Sequence, residues 1–139
     1  MPLRENIIDA RFNGREVEFR VLGAQDSIRG VIDEVSRYEI GLRVGDAAYV
    51  LFRHAILNAT VEASDLHGFS SEQLDDTVLG IDLIGVELEL HLIDGSAISG
   101  TLAKISKYEL GVKSGDKGVI IPKSSIAYAI IRGEQKGAE

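Results

Sequence analysis

Two stretches of this chain are copies of one another, and nothing else in the sequence limits the fold as much. Ile28 to Val61 aligns without gaps on Ile98 to Ile131. The matches include Gly30/Gly100, Ser36/Ser106, Tyr38/Tyr108, Glu39/Glu109, Gly41/Gly111, Gly45/Gly115, Asp46/Asp116 and Ile56/Ile126. Glycines and turn residues that coincide at one fixed offset are the mark of an internal duplication. Upstream, Val17-Phe19-Val21 is read against Val86-Leu88-Leu90, with one residue fewer in the first copy's turn. The boundary between the copies is placed at 63/64, giving a first domain over 1–63 and a second over 64–139, the second including a linker.

Each copy reads as the same series of short elements. Leu3, Ile7 and Ala10 fall at helical spacing, and Asn13-Gly14 supplies a stop, so a short amphipathic helix is expected from Arg4 to Phe12. Alternation at Val17, Phe19 and Val21 predicts a half-buried strand. Ser27 to Val35 is a longer strand with Gly30 inside it, the usual sign of a sharp bend in a sheet. Glu39–Val44, Ala48–Phe52 and Ile56–Val61 complete five strands. After a connector, the capping spacing of Ser70 and Gln73 and the stripe Leu74, Val78, Ile81 predict a second helix over Ser71–Leu83. Five more strands follow, over Val86–Ile93, Ser96–Ile105, Glu109–Lys113, Gly118–Ile121 and Ile126–Arg132, before a tail expected to fray. The plan is mostly β: two tandem small, five-stranded, strongly bent antiparallel barrels, each preceded by a short N-terminal α-helix.

Halves of this size are near the limit at which one core is self-sufficient, in a chain of 139 residues, so association with further copies is expected. The chain has no cysteine and therefore no disulfide framework. No apolar run reaches the ~18 residues of a membrane span, and no signal peptide is read at the start, so a cytoplasmic protein with no membrane partner is expected. The net charge is −7, and no lysine or arginine occurs from His54 through Ala103. Such a balance argues against generic, charge-driven nucleic-acid binding.

The glycine of the second strand, followed by apolar residues two and five positions on, recurs as Gly30-x-Ile32-x-x-Val35 and Gly100-x-Leu102-x-x-Ile105. At the junction of the fourth and fifth strands stands Phe52-Arg53-His54-Ala55-Ile56. In these features both halves resemble the Sm-like fold, specifically its bacterial Hfq type, whose junction reads aromatic-Lys-His-Ala-Ile. The resemblance implies ring closure by pairing the fourth strand of one unit with the fifth of the next. Six units then require three chains, a homotrimer with a pseudo-hexameric ring.

It also implies binding of short U-rich single-stranded RNA near the pore. Tyr38 would be the stacking ring with Arg37 beside it, Arg53 the cation and His54 the hydrogen-bonding group. In the second copy Pro122-Lys123-Ser124-Ser125 replaces the basic-His pair, so Lys107, Tyr108 and Lys123 would form a partial site. The position of the aromatic on the family's other, purine-binding face is His91. The chemistry agrees with general practice, since single strands are held by stacking on aromatics with cations at the phosphates.

Read from the residues alone, other meanings stay open. The tyrosines also fit half-buried strand positions, and His54 also fits a structural histidine at a tight turn. An assembly or scaffold module that has kept the ring and lost RNA is the rival function. No metal site, no cofactor and no catalytic constellation is expected: the histidines lack ligand spacing, and no nucleophile has a recognisable partner set.

Overall fold

A computed structural model describes residues 3–132. In the first copy β1 is Glu16–Val21, β2 Ile28–Val35, β3 Glu39–Val44, β4 Ala47–Phe52 and β5 Ile56–Thr60. In the second, β6 is Glu87–Leu92, β7 Ala97–Ile105, β8 Glu109–Ser114, β9 Lys117–Pro122 and β10 Ile126–Arg132. All ten strands expected from the sequence are present. They do not form two separate barrels. They form one open, ten-stranded antiparallel sheet in the order β5-β1-β2-β3-β4-β10-β6-β7-β8-β9.

The joint that makes the sheet continuous is β4 against β10, registered from Leu51 opposite Tyr128 to Ala47 opposite Arg132. Left apart, each of these strands would present a bare edge of backbone donors and acceptors. Side chains cross the joint too. Ala127 and Tyr128 of β10 pack with the first core around Phe19, Ile32 and Leu42. In return, Val50 and Phe52 of β4 pack with the second core around Leu90, Leu102 and Leu110.

Neither expected helix forms, and no α-helix occurs among the described residues. Between Arg4 and Phe12 the only regular piece is a 3-10 turn at Ala10–Phe12, where the Asp9 carboxylate accepts from Arg11 N. Over Ser71–Leu83 there is again one 3-10 turn, Ile81–Leu83. Over Ser71–Leu83 the reason is competition for backbone groups. The N–H groups of Val78 and Leu79 go to the Glu39 carboxylate, and the carbonyls of Asp75 and Asp76 accept from Arg37 and Tyr38. A helix needs those same groups for its own ladder.

Gly30 and Gly100 act as their positions suggested. A Cβ at Gly30 would lie 2.5 Å from the Arg43 carbonyl oxygen, and one at Gly100 would lie 2.5 Å from that of Lys113. The register then slips just beyond each glycine, between Ile32 and Glu34 and between Leu102 and Lys104. Such bulges bend a strand and raise its twist.

The upstream match between the copies needs correction. Val17 faces Gly30 while Leu88 faces Gly100, so Val17-Phe19-Val21 answers Leu88-Leu90-Leu92. The turn after the first strand is thus one residue longer in the first copy, not shorter. No helix among the described residues is long and apolar enough to cross a membrane. The tail expected to fray after Arg132 lies outside the described residues.

Candidate nucleic-acid interface

Between β2 and β3 the chain turns on Ser36. Its N–H and Oγ both donate to the Glu39 carbonyl, at 2.8 and 2.7 Å, and its Oγ accepts from Glu39 N at 3.0 Å. Ser106 does the same with Glu109, at 2.9, 3.3 and 3.1 Å. A residue that satisfies its own turn in this way pushes the next two outward. Tyr38 is accordingly 57% exposed and Tyr108 71% exposed. Neither is a half-buried strand residue.

The same two turns reach the corner after the fourth strand of each copy. Arg53 N donates to the Tyr38 carbonyl at 3.0 Å, and Lys123 N to the Tyr108 carbonyl at 2.8 Å. The structure therefore brings Arg37, Tyr38 and Arg53 into one cluster and Lys107, Tyr108 and Lys123 into another. His54 stands apart in its bonding. Its Nε2–H donates to the Ile126 carbonyl at 2.9 Å, which ties the first copy's corner to β10.

The two clusters differ in how free their cations are. The Arg53 guanidinium donates from Nε and Nη2 to the Ser36 carbonyl, at 3.2 and 3.0 Å, and from Nη2 to the Ile8 carbonyl at 2.8 Å. Burial draws its pKa below the ordinary guanidinium value, and the charge of Asp9 acts the other way. Arg37 lies between Glu5 at 3.4 Å and Asp76 at 3.7 Å. By contrast, neither Lys107 nor Lys123 makes an ion pair among the described residues, and Lys107 Nζ lies 5.4 Å from the centre of the Tyr108 ring. The second copy, read as the degenerate one, holds the freer cations.

Glu39 was not singled out from the sequence. It is 1% exposed, and Oε1 accepts from Val78 N at 2.8 Å and Leu79 N at 2.9 Å. Burial raises its pKa, against the opposing pull of those two N–H groups and of the Lys123 charge. The available signal was its exact repeat as Glu109 next to the paired tyrosines. His91, the purine-face position, stacks on Tyr128 with centroids 4.5 Å apart, and Tyr128 stacks on Tyr49 at 5.7 Å. All three rings are half-buried and run across β6, β10 and β4.

Beside Arg37 lies a groove of about 540 Å³, whose lining includes Arg4, Asp9, Phe69 and Leu74. The Arg4 guanidinium sits over the Phe69 ring at 3.6 Å. The chain matches no family model and no curated protein sequence.

Proposed function

We propose that this chain is an Sm-like, Hfq-type ring protein that binds short U-rich single-stranded RNA. The observation that carries the reading is the pair of exposed tyrosines, Tyr38 and Tyr108, on identical serine-stapled turns, each with a basic neighbour and a basic corner behind it. An exposed ring on a fixed turn stacks on any base with little ordering cost, and the flanking cation meets phosphate. Binding and release are the activity, with no covalent step.

The ring is supported by what the sheet leaves over. Inside the chain the repeats join through the fourth strand of the first copy and the fifth of the second. The two edges that remain are β5 and β9, a fifth strand and a fourth. Pairing β9 of one chain with β5 of another repeats the internal joint, and three chains close six repeats as a homotrimer.

A second reading, an assembly module without RNA, is favoured by specific contacts. Arg53 and His54 spend hydrogen bonds on the protein itself, Arg37 is held between two carboxylates, and the net charge is −7.

Fluorescence anisotropy with labelled oligo-U, oligo-A and a duplex, at two salt concentrations, separates the two. The first reading expects selective oligo-U binding that weakens with salt. Tyr38→Ala and Tyr108→Ala should each weaken it by about 5- to 100-fold. A trimer that binds no oligonucleotide at low salt would leave only the assembly reading.

A further inference from the structure

The turns at Ser36–Glu39 and Ser106–Glu109 are alike, but only the first is covered. Four bonds hold the linker on it. Arg37 N and Tyr38 N donate to the carbonyls of Asp75 and Asp76 at 2.7 and 3.0 Å, and Glu39 Oε1 accepts from Val78 N and Leu79 N. On the second turn, Lys107 N and Tyr108 N find no acceptor among the described residues, and the exposed Glu109 carboxylate accepts from none of them.

The chain contains a second version of the covering segment. The approach to β1 repeats the approach to β6 bond for bond. Phe12 N donates to Asp9 O as Leu83 N donates to Gly80 O, both at 3.0 Å. Gly14 N donates to Ile32 O at 2.7 Å as Gly85 N donates to Leu102 O at 2.8 Å. Counting back from those glycines, Asp75, Asp76, Val78 and Leu79 correspond to Arg4, Glu5, Ile7 and Ile8. Here too the groups are unused: the N–H groups of Ile7 and Ile8 have no acceptor, and the carbonyls of Arg4 and Glu5 no donor, among the described residues. Ile7 is 65% exposed.

This segment is fastened within its own chain, through Arg53 Nη2 to Ile8 O at 2.8 Å and Ser70 N to the Asp9 carboxylate at 2.8 Å. The occupant of the bare turn is therefore a second copy. We infer that residues 4–8 of one copy seat on the Ser106–Glu109 turn of another, with Lys107 N and Tyr108 N donating to the Arg4 and Glu5 carbonyls and Glu109 accepting from Ile7 N and Ile8 N. The seat rests on the ring reading, because β9-to-β5 pairing is what sets turn and segment in the relation already seen within the chain. Charge agrees as well: Lys107 joins Arg37, already 3.4 Å from Glu5, at the Glu5 side chain, as Arg37 meets Asp76 at 3.7 Å. Once seated, Glu109 acquires the buried, doubly bonded state of Glu39.

The chain has no native cysteine, so thiol cross-linking is clean. Glu5→Cys and Tyr108→Cys proteins, each retaining the backbone groups of the seat, are mixed and treated with a short bismaleimide while light scattering reports the mass. The expected result is a covalent dimer from the mixture that neither protein gives alone. A trimer mass without the adduct overturns the seat and leaves the ring standing. A single-chain mass at all concentrations overturns both. Independently, Glu109→Ala should raise the concentration at which the trimer dissociates by at least about tenfold, since it removes two bonds to a carboxylate, while Glu109→Gln keeps an acceptor and stays close to the parent. An unchanged dissociation in Glu109→Ala overturns the seat even where cross-linking succeeds.

Discussion

The turn at Ser36–Glu39 and the turn at Ser106–Glu109 share their serine staple, their outward tyrosine and their following strand, yet one carboxylate is buried and the other is in water. The difference lies in what arrives from elsewhere in the chain. Glu39 meets two backbone N–H groups of the linker, whereas Glu109 meets solvent. The same holds one strand later, where Arg53 is bonded to two carbonyl oxygens and its counterpart Lys123 makes no such bond among the described residues. A residue's role in a duplicated chain is set by its neighbours as much as by its own position in the repeat.

Paired substitutions put that contrast to the test. The largest effect should come from Glu39→Ala, which strands the N–H groups of Val78 and Leu79 away from water and should cost about 3 kcal/mol of stability. Glu109→Ala should change the isolated chain by less than about 0.5 kcal/mol. Urea unfolding at a concentration low enough to keep copies apart reads both, and equal losses would erase the distinction between the turns. Next, Arg53→Ala should cost about 2 kcal/mol through its lost bonds to Ser36 and Ile8, against little change for Lys123→Ala. Thermal melts of the two variants side by side are sufficient.

Smaller again is the joint between the copies. His54→Ala removes the bond to the Ile126 carbonyl and should cost about 1 kcal/mol, with Ser124→Ala near neutral. The smallest effect is one of pH. Burial holds the folded-state pKa of Glu39 above its ordinary value of 4.5. As pH rises the unfolded chain releases this proton first, so the contribution is full below pH 4.5 and is lost as pH passes through the raised folded value. Glu39→Gln keeps the acceptor and cannot titrate. The parent should therefore lose stability relative to Glu39→Gln as pH climbs past 4.5 and through the raised folded value.

The strands were legible because their signals are local: alternation, glycine pairs and turn residues. The second helix was misread because its absence is caused at a distance. Nothing in Leu74-x-x-x-Val78 announces that Glu39, far back in the chain, takes the N–H groups of Val78 and Leu79. The single sheet was hidden for a related reason, since pairing between β4 and β10 depends on how two separately legible units meet. The mismatch of Val17-Phe19-Val21 by two positions has its own cause. Strands repeat every two residues, so a slip of two keeps every inward side chain inward and leaves the hydrophobic pattern intact. The glycines of positive φ just before each first strand, Gly14 at 86° and Gly85 at 97°, are the marks that fix the phase. Of the candidate site, the exposed tyrosines and their basic neighbours were visible in the repeat. The internal use of Arg53 and His54 was not, because a hydrogen bond to a remote carbonyl leaves no trace in the order of residues.

The exchange of side chains across the joint has an evolutionary consequence. Val50 and Phe52 are encoded in one repeat and packed in the core of the other, while Ala127 and Tyr128 make the reverse journey. A change in either of these strands is selected on its fit to the opposite repeat, so the two copies are bound to adapt as a pair. Separating the repeats into individual genes would leave each with part of the other's interior.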